Sequence, residues 1–176
     1  MESFPPTSIE TYKALARTWA ATVTVVTARR TLDLVDPVTT PELDGFTATA
    51  FITVSMAPPI ILVSATTAAS AFTMLRDAQS FAVNLLSPDQ ADLAGAFAKP
   101  AVERVGLWDR TTWTPDAEGV PLLAGTTGAF SARVRQLVDA GDHTLVLGDV
   151  TAIHLGDGAD TLVYHNRGYG RVQRMG

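Results

Sequence analysis

The stretch DGFTATAFITVSMAPPIIL (44–62) places Thr47, Thr49, Thr53 and Ser55 among β-branched and aromatic residues, and Ser64 follows shortly after it. Such hydroxyls either face water as ordinary β-formers or line a pocket for a ligand with phosphate and carbonyl oxygens. Three histidines, His143, His154 and His165, recur at intervals of eleven, a spacing that invites a zinc reading. Zinc needs imidazoles that converge, and even spacing on strands does not supply convergence. No metal site is expected, and His154 and His165 read as isolated strand or surface residues. His143 differs through its neighbours. In AGDHTLVLGDV it follows a Gly-Asp turn and opens a strand, so its ring sits at a strand mouth, where barrels hold ligands. With no cysteine in the chain, thiolate nucleophiles, disulfides and Cys-based metal sites are excluded. The phosphate-loop, dinucleotide-fingerprint, nucleophile-elbow and H-E-x-x-H patterns are also missing.

The elements that position these groups can be read in order. Thr7 and Glu10 form a capping box before Ile9, Tyr12, Leu15, Ala16 and Trp19 at helical spacing. TVTVVT (22–27) alternates as a strand. Residues 28–44, with two prolines and several acids, read as a long surface loop. Strands are expected at 46–55 and 60–64, then a helix with Ser70 as N-cap, then the strand FAVNLL (81–86). Ser87, Pro88 and Gln90 give a helix start with a capping box. Residues 99–128 read as irregular, before two long alternating runs and a last strand, TLVYHN. Many strands with short turns and a few helices predict a mainly β fold, a closed antiparallel barrel with short helices.

The bulk numbers agree. A chain of 176 residues suits one domain spanning 1–176, and 47% hydrophobic with 18% charged residues is a globular balance. A net charge of −5 argues against nucleic acid, whose binding needs a basic stripe. MESFPPTSIE is no signal peptide, and no run is long and apolar enough for a membrane span. The expected compartment is the cytoplasm.

TVTVVT, GFTATAFITVSMAPPIILVS, FAVNLLSPDQADLAGAFA, GDHTLVLGDV and LVYHNRGYGRV occur in that order. Together they resemble the flavin reductase-like family, short-chain NAD(P)H:flavin oxidoreductases built on an FMN-binding split barrel. In the family's G-x-T-A-N-S-x-x-S-V-S-x-x-P-P pattern, Gly45, Thr47, Ala48, Thr53, Val54, Ser55, Pro58 and Pro59 match. Thr49 replaces Asn, and Ala50 replaces Ser. The resemblance implies flavin contacts at Thr47, Ala48, Thr49, Ala50, Thr53, Ser55, Ser64, Ser70, Asn84, His143 and Tyr169. It places His143 beside the nicotinamide as the one catalytic residue, orienting the ring rather than acting as a base. Arg167 and Arg171 are cations that a dinucleotide phosphate could meet. The resemblance further implies FMN (or FAD) and NADH or NADPH as cofactors, a homodimer, and a flavin-dependent monooxygenase as partner. Two other readings stay open: a non-catalytic flavin carrier, and a split-barrel oxidase related to pyridoxamine-phosphate oxidases. The oxidase would need a cationic phosphate cluster, whereas the 13 Lys and Arg here are scattered along the chain.

Overall fold

The structure is a computed structural model, and it describes residues 8–30, 42–68, 70–158 and 160–173. Strand β1 (Ala21–Thr22) is followed by β2 (Thr24–Arg30), β3 (Glu42–Ala48), β4 (Phe51–Met56), β5 (Pro59–Thr66) and β6 (Ser80–Leu85). The ribbon β7 (Trp113–Pro115) and β8 (Pro121–Leu123) precedes β9 (Gly128–Ala140), β10 (His143–Leu155), β11 (Leu162–His165) and β12 (Gly168–Arg171). Helices α1 (Ile9–Ala16), α2 (Ser70–Asp77) and α3 (Ala91–Phe97) are all short. The fold is mainly β, as expected.

Seven strands pair antiparallel in the order β3-β2-β6-β9-β10-β5-β4. The first and last of these, β3 and β4, are consecutive in the chain and joined only by Thr49 and Ala50. Ala48 and Phe51 are three residue steps apart and so stand no more than about 10 Å from each other, and the two edges must approach and the sheet must curl into a barrel. The Ser64 amide donates to the Ala50 carbonyl at 2.9 Å, pinning the junction against β5. The single strand expected at 46–55 is therefore two strands with a break at Thr49–Ala50, because closure turns the chain there.

Strand β2 is buried on both faces. Val26 and Ala28 enter the barrel core with Ile61, Val63, Phe81 and Val146, which α2 covers through Met74 and Leu75. Val25 enters a second cluster with Val23, which lies between β1 and β2, and with Leu86, Ala94, Phe97 and Leu107. Each such side chain contributes about 1.5–3 kcal/mol when fully buried. Gly45 is required where α3 lies on β3, since a Cβ there would stand 3.0 Å from the Val26 carbonyl and 3.1 Å from the Phe97 ring.

Several local expectations are met and others corrected. The Gln90 side chain accepts from the Ser87 amide at 3.0 Å, although a 3-10 turn (Pro88–Gln90) precedes α3. Ser8 caps α1, accepting from the Thr11 amide at 3.2 Å; the expected cap Thr7 lies outside the described residues. Of the loop placed at 28–44, residues 28–30 and 42–44 are strand instead, paired from Ala28–Asp44 out to Arg30–Glu42; residues 31–41 lie outside the described residues. Within the supposedly irregular 99–128, Trp113–Pro115 and Pro121–Leu123 pair as a ribbon. No helix among the described residues is long and apolar enough to cross a membrane.

Candidate functional site

Where the barrel closes, the end of β3, the Thr49–Ala50 junction, the end of β5 and the segment after α3 surround a cavity of about 450 Å³. Thr47, Ala48, Thr49, Ala50, Ser64 and His143 all line it. Six expected site residues from three separate stretches thus meet in one place. Its volume lies within the range of small-molecule sites.

His143 is the first residue of β10 and stands opposite Thr66 of β5. Its Nδ1 lies 2.7 Å from Asp142 Oδ1. An ionised carboxylate only accepts, so Nδ1 carries the proton. The hydrogen bond from His143, with the charge of its ring, holds the Asp142 carboxyl below its ordinary value. Nε2 is 3.3 Å from the Thr66 hydroxyl, which donates to it in the neutral ring. Asp142 therefore sets the tautomer and leaves Nε2 as the ring's one acceptor, met here by the Thr66 hydroxyl. Gly141, at φ +69°, makes the turn that places this pair at the rim, a conformation glycine adopts without the cost a Cβ imposes.

Lys99, Pro100 and Arg104 also line the cavity, and sequence reasoning did not single them out. Arg104 donates from Nη2 to Asp44 at 2.8 Å and from Nη1 to the Lys99 carbonyl at 2.8 Å. It clamps the segment after α3 to β3, while the Lys99 ammonium makes no contact among the described residues. A basic residue just past a helix C-terminus is ordinary; only Arg104's grip places Lys99 at this wall.

Thr47 occupies the expected place but with a committed hydroxyl. Its Oγ1 donates to the Ala94 carbonyl at 2.6 Å. Only acceptor capacity remains, and a phosphate needs donors. Thr47→Val is accordingly expected to leave flavin affinity unchanged and to cost about 1 kcal/mol of stability, read by calorimetric titration beside thermal melting.

Five expected residues do not line this cavity. Asn84 is fully buried, with Nδ2 donating to the Val25 carbonyl and Thr27 Oγ1 and Oδ1 accepting from the Leu123 amide. It is a satisfied core amide, not an open ligand contact. Thr53 and Ser55 lie on β4, with a register shift between them. Tyr169 packs edge-on against Tyr164, ring centres 5.3 Å apart. Ser70 begins α2, but its side chain lies outside the described residues. Of the other histidines, His154 contacts Ser131 at 3.0 Å, and His165 pairs with Gly168 at the β11–β12 turn.

A second cavity, about 1110 Å³, runs between α1 and the β11–β12 turn and shares Thr49 and Ala50 with the first. Lys13, Arg17 and Arg167 line it. The two cavities, which share Thr49 and Ala50, thus draw five Lys and Arg, and no acid among the described residues lines either wall. Arg104 is neutralised by Asp44 at 2.8 Å, which leaves Lys99, Lys13, Arg17 and Arg167 as the cations suited to anionic ligands.

Residues 16–173 match the model of the flavin reductase like domain. An NADH:FMN oxidoreductase of Rhodococcus qingshengii is 37% identical over 169 residues, covering 94% of this chain and 82% of that protein. The NADH:FAD oxidoreductase of Streptomyces globisporus C-1027, solved with NAD and FAD fragments, superposes with TM-score 0.83 at 26% identity over 98% of both chains. BorF, the flavin reductase component of a bacterial two-component tryptophan halogenase, gives TM-score 0.79 at 28% identity over 94% of this chain and 99% of its own.

Proposed function

The chain belongs to the flavin reductase-like family, and on that premise we propose that it is an NAD(P)H:flavin oxidoreductase, one split-barrel domain that reduces FMN, or FAD, for a flavin-dependent monooxygenase. The observation that carries this reading is the pair of cavities at the barrel's closure that share Thr49 and Ala50 and are lined by Lys13, Arg17, Lys99 and Arg167. They fit two phosphate-bearing ligands side by side. When both are bound, the nicotinamide supplies a hydride and the flavin ring accepts it.

The protein's task is positioning. Ser64 and the Thr49–Ala50 junction form the wall that a flavin ring would meet. Lys99 is the cation placed to meet its phosphate. His143, held by Asp142, offers Nε2 to a carboxamide N–H of the nicotinamide, which takes the place of the Thr66 hydroxyl there, and so fixes which face lies against the flavin. Orientation of this kind accounts for much of what an enzyme contributes to transfer between two bound partners. No base or nucleophile is needed, in keeping with a chain that has no cysteine.

The assembly belongs to the same proposal. Strand β4 leaves Ile52, Val54 and Met56 exposed at the end of the sheet order, and an apolar strand in water is a surface for a second copy. The homodimer, acting in the cytoplasm where nicotinamide dinucleotides are abundant, is the working form. The test is NADH and NADPH oxidation by the purified protein with and without added FMN or FAD. Flavin-dependent turnover is expected; flavin binding without turnover would make the protein a carrier, and neither would remove the reading.

A further inference from the structure

We propose that Thr66 governs release of the dinucleotide: its hydroxyl covers Nε2 of His143 whenever the nicotinamide is absent and competes with it for that one acceptor. The inference rests on the flavin-reductase reading for the identity of the competing ligand. Three observations carry it.

The first is placement. Thr66 ends β5 and stands directly opposite His143, the first residue of β10. Both residues line the inner cavity, and the Thr66 hydroxyl lies 3.3 Å from Nε2. The two strand ends are tied beside this contact. The Thr67 amide donates to the Asp142 carbonyl at 3.0 Å, and the Thr67 and Thr144 hydroxyls meet at 3.0 Å.

The second is capacity. With its proton on Nδ1, the neutral ring offers one lone pair at Nε2, which accepts one strong hydrogen bond. The Thr66 hydroxyl and a carboxamide N–H therefore exclude one another at that atom.

The third is the inequality of the two contacts to the ring. Nδ1 lies 2.7 Å from Asp142, a short bond to a carboxylate, whereas 3.3 Å is long for a hydroxyl donor. Asp142 thus keeps the ring oriented without help from Thr66. What remains for Thr66 is to cover the acceptor, weakly enough to yield to an incoming ligand and to return when it leaves. The carboxamide survives hydride transfer, so the product keeps the same grip on Nε2. A competitor for that atom speeds its departure, the step that limits many enzymes.

The test follows from the sign of the effect. Thr66→Val removes the hydroxyl and keeps a β-branched residue at an exposed strand end; Thr66→Ser keeps the hydroxyl. The probe is NAD⁺ or NADP⁺, whichever matches the dinucleotide the protein oxidises, titrated calorimetrically into FMN-loaded protein. Water refills Nε2 in the valine variant, so only the net worth of a weak hydrogen bond is gained. Thr66→Val is expected to bind the probe about two- to fivefold tighter, with slower dissociation in stopped flow, and Thr66→Ser to bind it as the wild type does. In ligand-free protein, the Nε2 nitrogen resonance of His143, identified by its loss in His143→Ala, is expected to move in Thr66→Val and to stay in Thr66→Ser. A merely structural threonine acts in the opposite direction, with weaker binding and a lower melting temperature. That result, an unchanged affinity, or an unmoved Nε2 resonance overturns the inference alone. Wild-type protein that binds neither oxidised dinucleotide and shows no flavin-dependent oxidation of the reduced ones removes the flavin-reductase reading, and the inference with it.

Discussion

Replacing Asn84 by leucine is expected to lower the melting temperature by about 5–15 °C while leaving flavin affinity unchanged. Leucine is close in volume, so no large cavity explains the loss. The cause is polar: the Leu123 amide loses its acceptor, and the Val25 carbonyl and Thr27 hydroxyl lose a donor, all in a buried setting. Leaving buried groups of this kind unsatisfied costs about 2–4 kcal/mol here, and each kcal/mol moves the midpoint of a domain this size by about 2–4 °C. The effect is large because Asn84 ties β6 to β2 and to β8 at once. A variant that melts normally but binds flavin weakly would return Asn84 to the ligand.

The second large effect is catalytic. His143→Ala is expected to slow reduction of bound flavin about 10–100-fold, or 1.4–2.7 kcal/mol of transition-state stabilisation, with flavin affinity and melting temperature nearly unchanged. Stopped-flow reduction and thermal melting on the same samples separate this from a structural role, in which stability and flavin binding would fall together. The pH dependence has a definite sign. Asp142 is held below its ordinary value by the hydrogen bond from His143, so its contribution is fully present above about pH 3.9 and is lost as pH falls through the lowered value. Around neutrality Asp142 therefore keeps the proton on Nδ1. Wild-type rates in a well-folded alanine variant would remove His143 from the reaction.

Much of this molecule was legible locally. The Ser87–Gln90 cap, the strand nature of 24–27 (the expected strand at 22–27 is split at Val23 between β1 and β2), and His143 at a strand mouth each depend on residues within a turn or two of one another. Short-range sterics and hydrogen bonding decide such features wherever the segment finally sits. The family resemblance extended that reach, because five ordered stretches carry the barrel with them.

What the sequence left open depended on contacts between distant segments. Thr47 and Asn84 both looked like ligand-facing polar groups on strands. Their partners are Ala94 in α3 and Leu123 in β8, and no pattern local to either strand names those partners. The break at Thr49–Ala50 is a consequence of closing a seven-stranded sheet, a condition that no window of a few residues contains. The cations show the same point: Lys13, Arg17, Lys99, Arg104 and Arg167 are scattered along the chain, yet they gather around two adjacent cavities. Scatter in sequence therefore did not argue against a cationic site. Hydrophobic periodicity fixes which side of a strand is covered, but only the packed barrel decides what covers it, and that choice separates a buried structural amide from a wall that meets a ligand.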